Sequence, residues 1–524
     1  MKSTERTTMT QPWFYPDRVS VRPGERVRLF ASGPRSPVTL TVTRLGEQAE
    51  AVARFEGITI PDLPTPEHAD RNGCGWPEVF AFEATADWPP GYLDLCMTDA
   101  TGASTRHFVV LRPVEPVAKA LLVLSTNTWA SYNYWGGANS YAAVEDLMAG
   151  RVDADGSRPG AIGRLSRMRP YPQLMLAPPA DVPRLINLEP RAPGELPLPG
   201  TADYHRRNRP SPYDGAAGFV NKWEHVFLAW CERQGIAIDV TTDHDFETED
   251  DLLAGYRCVL AVGHSEYWSG RQRSAIERFV DAGGNLAVLS GNTCYWKVRW
   301  EDDGETLVAH KWRGESDDPL WADPATRDQA THLWSHEAFA SPEAALTGLS
   351  FLYGGYHRLC MCAARGAAAY TVYDDAHWAL AGTDLWYGDQ FGGNVPLIGY
   401  ENDGVPIRFG EDGLPKAGAG VGVPPDLEVI ALAPATLAES PDSPFPPMIP
   451  REMPDVLARI AWGDATAIER LMRGHAVMAS FRRGAGEVFN GGTTEWAHGL
   501  AAGDPFVERI TLNVLERFGA HSAG

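Results

Sequence analysis

The stretch that most constrains the fold of this chain runs from Arg257 to Trp300, RCVLAVGHSEYWSGRQRSAIERFVDAGGNLAVLSGNTCYWKVRW. Its first apolar run, Cys258–Val262, is long enough for a buried strand and too short for a helix. A helical pattern follows Ser269 and ends at a pair of glycines, and Leu286–Leu289 is a second buried run. This order predicts a β-α-β unit whose two strands are parallel neighbours with a right-handed crossover.

Polar side chains follow each of these two predicted strands. His264 and Glu266 come directly after the first strand, and Asn292 follows the second. In open α/β sheets, ligands bind just beyond the carboxyl ends of the strands. We therefore expect these three residues to converge at one rim of the sheet, which is the strongest candidate for a functional site.

The remainder of the chain predicts two domains. Residues 1 to about 115 alternate apolar and polar residues between Pro-Gly and Ser-Gly turns, which is typical of a β-sandwich. Residues 116–524 alternate strands and helices, which predicts a doubly wound, mostly parallel α/β sheet of the glutamine-amidotransferase-like kind. The C-terminal segment predicts two strands that meet at a glycine turn and a final helix at Val507–Phe518.

Three segments of the α/β domain are expected to form loops. Residues 150–212 are rich in proline, and loops of that length in a compact domain are usually functional. Residues 300–350 carry several tryptophans and predict an excursion that covers the site. A glycine-rich loop, Asp389–Asn394, precedes a predicted strand that ends in Glu401.

Composition narrows the class of protein. A chain of 524 residues with 44% apolar content can bury a large core, and its net charge of −22 argues against nucleic acid or an anionic membrane as partner. The start of the chain has no apolar signal-peptide region, and no run is long enough for a transmembrane helix. The seven cysteines are odd in number and show no disulfide framework and no CxxC pair, so we expect reduced thiols and a cytoplasmic protein.

Familiar catalytic motifs do not account for the rim. Ser265 lies at a strand-to-helix turn, but a nucleophile elbow requires glycine two residues later, where this chain has Tyr267. No cysteine occupies the turn, and zinc signatures such as HExxH are absent from the sequence. A carboxylate, an imidazole, an amide and several phenols remain, and each of these alone is more often structural than catalytic.

Six segments together resemble the large (beta) subunit of N,N-dimethylformamidase over roughly residues 119–520. In chain order they are TNTWASYNYWGG, RMRPYPQ, GHSEYWS, GGNLAVLSGNTCYWKVRW, GYENDG and GEVFNGGTTEW. The resemblance implies a mononuclear iron, Fe(III), held by Tyr132, Tyr171 and Glu266. Tyr134 and Tyr141 lie in the same loop as Tyr132 and are alternatives to it.

The same resemblance implies an iron-dependent amidohydrolase that cleaves the C–N bond of a small N-substituted amide. Anionic oxygen donors suit a hard cation such as Fe(III), which can polarise an amide carbonyl and lower the pKa of water. Glu401 would serve as general acid and base, with His264 and Asn292 orienting water or holding an oxyanion. The chain is shorter than the large subunit on its N-terminal side. We expect it to form a homo-oligomer, to which a small subunit could also bind.

A second reading belongs to a different class. Residues 119–520 would then be a non-catalytic, amidotransferase-like domain beside a β-sandwich that binds carbohydrate, since the 17 tryptophans of the chain suit sugar stacking. Metal content separates the two readings, because only the first requires about one iron per chain.

Overall fold

The computed structural model describes residues 9–143, 160–171, 218, 223–359, 362–363, 368–395, 397–438 and 453–521. Most of the proline-rich segment at 150–212 lies outside these residues, so its predicted role as a functional loop stays a prediction. Within the described part of the chain, no helix has both the length and the apolar character needed to cross a membrane.

Two sheets form the N-terminal unit. Its elements are β1 (Trp13–Pro16), β2 (Ser20–Val21), β3 (Arg26–Ser32), β4 (Val38–Leu45), β5 (Ala49–Ile58), α1 (Ala69–Asn72), β6 (Glu78–Glu83), β7 (Gly91–Asp99) and β8 (Ser104–Leu111). The strand orders are β1-β3-β6 in one sheet and β2-β8-β7-β4-β5 in the other. Neighbouring strands are antiparallel, except for β2 and β8, which are parallel.

The alternating sequence pattern explains how these two sheets meet. Val27 and Leu29 on β3, and Leu40 and Val42 on β4, are buried, while the residues between them are more exposed. All four side chains belong to one apolar cluster that both sheets share. Sheets that pack over a common apolar layer are typical of sandwiches, and a β-sandwich is the class that we propose for this unit.

The second part of the chain is organised around a nine-stranded sheet. Its elements in chain order are β9 (Ala120–Leu124), α2 (Thr126–Tyr132), β10 (Arg164–Ser166), α3 (Glu224–Arg233), β11 (Ile238–Thr242), β12 (Cys258–Gly263), β13 (Tyr267–Ser269), α4 (Gly270–Asp281), β14 (Asn285–Ser290), β15 (Trp296–Glu301), β16 (Thr306–Val308), α5 (Gly314–Asp317), α6 (Ala344–Thr347), β17 (Ser350–Gly355), β18 (Arg358–Leu359), β19 (Cys362–Ala363), β20 (Tyr370–Val372), β21 (Gln390–Phe391), β22 (Asn402–Gly404), β23 (Ile407–Phe409), β24 (Pro415–Ala417), β25 (Glu428–Ala435), α7 (Pro454–Trp462), α8 (Ile468–Leu471), β26 (Gly474–Arg483), β27 (Gly486–Asn490), α9 (Trp496–Ala501) and α10 (Pro505–Arg517). The large sheet has the order β11-β9-β12-β14-β27-β26-β25-β20-β21.

The predicted β-α-β unit is confirmed. Strands β12 and β14 are adjacent and parallel, with Val262 opposite Leu289. Helix α4 connects them and is capped by Ser269, whose hydroxyl accepts a hydrogen bond from the backbone N–H of Gln272 at 3.1 Å. Such an N-cap satisfies one of the free N–H groups in the first helical turn.

Both faces of the large sheet are covered. Alternate residues of β12 belong to two different apolar clusters, Leu260 and Val262 to one, Val259 and Ala261 to the other. Helices α3 and α10 contribute to the first cluster and α4 to the second. Five strands, from β11 to β27 in the sheet order, pair in parallel. Each of the remaining four is antiparallel to the strand before it in the sheet, beginning with the tight hairpin that joins β26 to β27. A doubly wound α/β fold is the class that we propose for this part of the chain.

The predicted strand ending in Glu401 is wrong in its position. The strand β22 begins at Asn402, immediately after Glu401, and pairs with β17. The preceding apolar run contains Pro396, which has no N–H to donate to a sheet. The neighbouring N–H groups of Leu397 and Ile398 bond instead to loop carbonyls.

The tryptophan-bearing excursion at 300–350 lies beside the rim. Its first part joins a four-stranded sheet of order β10-β16-β15-β13. Beyond that sheet, the ring of Trp312 lies 4.8 Å from the ring of Trp296, measured between centroids. The excursion thus contributes side chains to the surroundings of the candidate site.

Candidate active site

Three polar residues converge at the carboxyl ends of β12 and β14, as the sequence predicts. Nδ2 of Asn292 donates a hydrogen bond to Oε1 of Glu266 at 3.3 Å. Nε2 of His264 lies 3.3 Å from Oε2 of the same carboxylate. All three side chains are buried. The segments that follow the two strands therefore place an imidazole, a carboxylate and an amide side by side.

Glu401 completes this group from a different part of the chain. Its Oε2 lies 2.6 Å from Nε2 of His264 and accepts a hydrogen bond from Nδ2 of Asn292 at 3.3 Å. His264 therefore lies between the carboxylates of Glu401 and Glu266, and the amide of Asn292 joins the same two carboxylates. We call these four residues the rim cluster.

Glu266 has two oxygens in different surroundings. Its Oε1 accepts hydrogen bonds from Nε1 of Trp296 at 2.7 Å and from the hydroxyl of Tyr141 at 2.9 Å, besides that of Asn292. Its Oε2 is buried and receives no hydrogen bond from any described residue. Burial raises the pKa of Glu266 to about 7, against the lowering effect of His264. A buried carboxylate oxygen without a donor is suited to a cation or a proton.

Two glycines allow the rim to pack this closely. Gly263 has φ of +78°, and a Cβ there would lie 2.4 Å from Cβ of Trp223. Gly291 directly precedes Asn292, and a Cβ on it would lie 2.2 Å from the carbonyl oxygen of Glu401. Only glycine permits the backbone that carries Glu401 to approach the turn that carries Asn292.

Replacing Gly291 by alanine is expected to separate the two segments. The added Cβ overlaps the carbonyl of Glu401, so we expect a loss of about 2–3 kcal/mol in the free energy of unfolding. Thermal unfolding monitored by circular dichroism measures this loss. Gly270→Ala is the control, because a Cβ there meets no atom within 4 Å. Equal melting temperatures for the two variants would contradict the close approach.

Tyr132 lies beside the rim cluster, and its role as a metal ligand stays a prediction. It is the last residue of α2, and its ring centroid is 5.7 Å from that of His264 and 4.6 Å from that of Tyr141. Burial and the neighbouring charge of Glu266 hold the pKa of Tyr132 well above its usual value. Neutral phenol is therefore its stable form unless a cation is bound beside it.

The structure does not bring Tyr171 into contact with the rim cluster. Its ring stacks on that of His107, at 5.2 Å between centroids and 28° between planes. Burial raises the pKa of Tyr171, and the charges of Arg169 and Arg167 oppose that rise. Among the described residues, no contact joins Tyr171 to Glu266, so its role as a metal ligand stays a prediction.

Tyr141, an alternative noted for the same loop, is bonded directly to Glu266. It also accepts a hydrogen bond from the hydroxyl of Tyr267 at 2.8 Å. The ammonium of Lys311 lies 3.0 Å from the centroid of the Tyr141 ring, a cation–π contact. Because Lys311 is buried and lowers the pKa of Glu266, it contributes positive charge to the site.

Sequence reasoning missed Lys311, Trp296 and Asp403 as members of this environment. Trp296 stands in the resembling segment CYWKVRW, but only the fold shows that its indole N–H points at Glu266. Lys311 lies in the excursion with φ of +56°, a conformation that no local pattern announces. Asp403 follows Glu401 by two residues, and its proximity to Glu401 in GYENDG was the available signal.

Ser265 is directed away from the rim cluster. Its hydroxyl accepts a hydrogen bond from Nε1 of Trp268 at 2.9 Å, and its N–H donates to the hydroxyl of Ser290 at 3.1 Å. A serine nucleophile requires a base within hydrogen-bond reach of its hydroxyl. Among the described residues that base is absent, which agrees with the missing glycine of the elbow motif.

A second group of potential metal ligands, Glu315, His332 and His336, lies in the excursion. Nδ1 of His336 accepts a hydrogen bond from the N–H of Ala338 at 3.1 Å, so its proton is on Nε2, 3.0 Å from Oε1 of Glu315. A ligating histidine requires the reverse arrangement, with the ligating nitrogen unprotonated and the other one donating. Arg459 also lies 3.8 Å from Glu315. This group is therefore a hydrogen-bonded pair beside a buried histidine.

Comparison with known proteins gives a family match. The model of the family described as N,N-dimethylformamidase beta subunit-like, C-terminal, matches residues 39–509. This match begins inside β4, earlier than the resemblance at 119–520, and so includes most of the N-terminal sheets.

Two curated relatives are the N,N-dimethylformamidase beta subunits of Paracoccus aminophilus and Alcaligenes sp, 34% and 33% identical over 87 residues. The aligned segment is 16% of this chain and spans 11% of the length of each relative. A solved structure, the sporulation control protein Spo0M from Bacillus subtilis, is 14% identical and covers 20% of this chain and 49% of its own, with a TM-score of 0.14. Because the family match extends from residue 39 to residue 509, the chain belongs to the N,N-dimethylformamidase beta subunit-like, C-terminal family.

Proposed function

We propose that this chain is an iron-dependent amidohydrolase that cleaves the C–N bond of a small N-substituted amide. The observation that supports it most is the rim cluster, in which His264 lies between the buried carboxylates of Glu266 and Glu401. The curated relatives are named as N,N-dimethylformamidase beta subunits, which supports the same class of reaction.

The oxygen donors at the rim fit a hard cation. Glu266 offers a buried Oε2 that no described residue hydrogen-bonds, and the phenol of Tyr132 lies in the same group. Phenolate and carboxylate are the donors that Fe(III) prefers, and the charge of a bound cation would offset the desolvation that keeps a buried phenol neutral. Tyr171 is the third ligand implied by the family, while Tyr141 is the nearer phenol in the described structure. We propose Glu266, Tyr132 and Tyr171 as the ligand set.

Each residue of the cluster then has a task in hydrolysis. When bound, iron would supply Lewis-acid polarisation of the amide carbonyl and a lowered pKa of water. Glu401 accepts a proton from the attacking water and returns it to the nitrogen of the departing amine. His264, 2.6 Å from Glu401, holds that carboxylate in place. The side-chain N–H groups of Asn292 donate to the carboxylates of both Glu266 and Glu401 and stabilise the negative charge that the two bring together.

Aromatic side chains around the cluster favour a small substrate with apolar substituents on nitrogen. Tyr132, Tyr141, Tyr267 and Trp296 lie within one group of ring contacts. Sites of this kind bind the apolar part of a ligand and use a few polar groups to fix its orientation. The relatives are named as beta subunits, and we propose a homo-oligomer with which a small subunit could associate.

The carbohydrate-binding alternative gains no support from the N-terminal sheets. Among the described residues, the large aromatic side chains that are exposed are Trp386, Tyr387 and Phe409, and all three lie outside that unit. Sugar stacking requires an exposed aromatic face. We therefore retain the hydrolase as the proposal.

An amide-hydrolysis assay tests this function. The purified protein is incubated with N,N-dimethylformamide and a panel of larger N-substituted amides, and released amine and carboxylate are measured. We expect the iron-loaded protein to release amine and carboxylate in equal amounts. This release should be lost after chelation of the iron and should return when iron is added. Absence of release from every amide by iron-loaded protein, or undiminished release after complete removal of iron, would refute the proposal.

A further inference from the structure

The turn that carries Asn292 has an unusual backbone. Asn292 has φ of +52°, in the left-handed region that residues other than glycine seldom adopt. Asparagine tolerates this region better than most residues, but the conformation still has to be held by its surroundings. The group that holds it determines where the Asn292 amide points.

Asp403 is that group. Its Oδ1 accepts a hydrogen bond from the backbone N–H of Asn292 at 2.8 Å, and its Oδ2 accepts one from the N–H of Thr293 at 3.1 Å. The side chain is fully buried. Both oxygens of the carboxyl group are therefore bonded to consecutive N–H groups of one turn.

Burial raises the pKa of Asp403 to about 7, and the hydrogen bonds from the turn oppose that rise. Among the described residues, no lysine, arginine or histidine forms an ion pair with Asp403. Burying a carboxylate is costly unless its oxygens are bonded, and here the turn supplies both bonds. Asp403 therefore stabilises the turn, since burying an apolar residue at this position would cost less free energy.

Asp403 itself is fixed relative to Glu401. The two residues are separated only by Asn402, and the N–H of Asp403 donates to the carbonyl of Gly492 at 3.0 Å. One short segment thus supplies both the Glu401 carboxylate and the group that holds Asn292. The Asn292 amide then lies 3.3 Å from Glu401 and 3.3 Å from Glu266.

We propose that Asp403 is a positioning residue that fixes the turn at Asn292, so that the Asn292 amide joins the carboxylates of Glu266 and Glu401. Asp403 touches neither substrate nor reacting atoms and acts only through Asn292. The catalytic consequence rests on the proposed function, whereas the fixing of the turn does not.

A double-mutant cycle tests the catalytic part. Asp403→Ala is expected to lower kcat by roughly 10–100-fold, the usual effect of groups that orient an active-site residue. Because Asp403 acts through Asn292, the variant with both Asp403→Ala and Asn292→Ala should be no slower than Asn292→Ala alone, within about 2-fold. Multiplied losses in the double variant would overturn the proposal.

Hydrogen exchange tests the structural part without requiring activity. In Asp403→Ala, the amides of Asn292 and Thr293 should exchange at least 10-fold faster than in wild type, a change that mass spectrometry of peptides spanning 290–295 measures. Asp403→Asn, which keeps one acceptor oxygen, should show an intermediate rate and serves if the alanine variant does not fold. Unchanged exchange in both variants would overturn the proposal even if the wild type hydrolyses no amide.

Asp99→Asn is the matched control. Asp99 also accepts hydrogen bonds from two backbone N–H groups of one turn, those of Thr101 at 2.8 Å and Ala103 at 3.1 Å, but in the N-terminal sheets. It should speed exchange only at its own turn and leave kcat unchanged. A loss of kcat in this control equal to that of Asp403→Asn would show a general effect of destabilisation and overturn the assignment.

Discussion

Replacing Glu266 by alanine is expected to remove bound iron and to abolish amide hydrolysis. The substitution deletes the buried Oε2 that no described residue hydrogen-bonds, together with the acceptor for Trp296, Tyr141 and Asn292. The indole N–H of Trp296 loses its acceptor, whereas Asn292 keeps its hydrogen bond to Glu401. Elemental analysis of the purified variant and an amine-release assay measure the two losses.

Glu343→Ala is the control for this prediction. Glu343 is also fully buried and also has one carboxylate oxygen without a hydrogen bond from a described residue, but it is bonded to Ser350 away from the rim cluster. We expect it to lower the melting temperature and to retain iron. Glu266→Ala protein that keeps a full complement of iron would remove Glu266 from the ligand set.

Glu401→Gln is expected to leave iron content unchanged and to lower turnover by roughly 100-fold or more, the scale of a general acid–base group. Glutamine keeps the shape of the side chain and cannot accept and return a proton. The amide would also occupy the place of the carboxylate beside Nε2 of His264, which lies 2.6 Å from Oε2 of Glu401. Stopped assays of amine release together with iron analysis separate this outcome from loss of the metal.

The matched control is Glu428→Gln, because Glu428 also lies beside a histidine, with Oε2 3.4 Å from Nε2 of His377, and is largely exposed. Turnover of this variant should equal that of wild type. If Glu401→Gln protein is purified without iron, Glu401 binds the metal and its assignment as the base fails.

Local periodicity was sufficient to predict the part of the site that the β-α-β unit carries. The apolar runs at β12 and β14 specify parallel strands, and parallel strands place the residues after them at one edge. His264, Glu266 and Asn292 therefore converge for a reason that is visible in a single stretch of sequence. The capping serine at 269 and the glycine pair at 283–284 fixed the helix between them.

The phenols could not be assigned in the same way. Tyr132 ends helix α2 and Tyr141 lies in the loop that follows it. The sequence does not show which of them reaches Glu266, because that depends on the path of the loop. Tyr171 lies in a different segment of the chain, and its ring stacks on His107, a residue of the N-terminal sheets. A contact between segments that are distant in the sequence leaves no local periodicity in either of them.

Lys311 and Asp403 show the same limit at longer range. Lys311 reaches the ring of Tyr141 from the excursion, through a left-handed backbone position without a glycine. Asp403 bonds to a turn that is more than a hundred positions away in the sequence, at Asn292. Such pairs are set by the packing of whole elements, and only the folded chain shows them.

Metal analysis of the purified wild-type protein, combined with its visible absorption spectrum, tests the central claim most directly. Tyrosine has a pKa of about 10 in water, so a phenolate near neutral pH requires a bound cation. A ferric phenolate absorbs visible light by charge transfer from ligand to metal. We predict about one iron per chain and a coloured protein. A colourless, iron-free protein that hydrolyses amides at full rate would contradict the account.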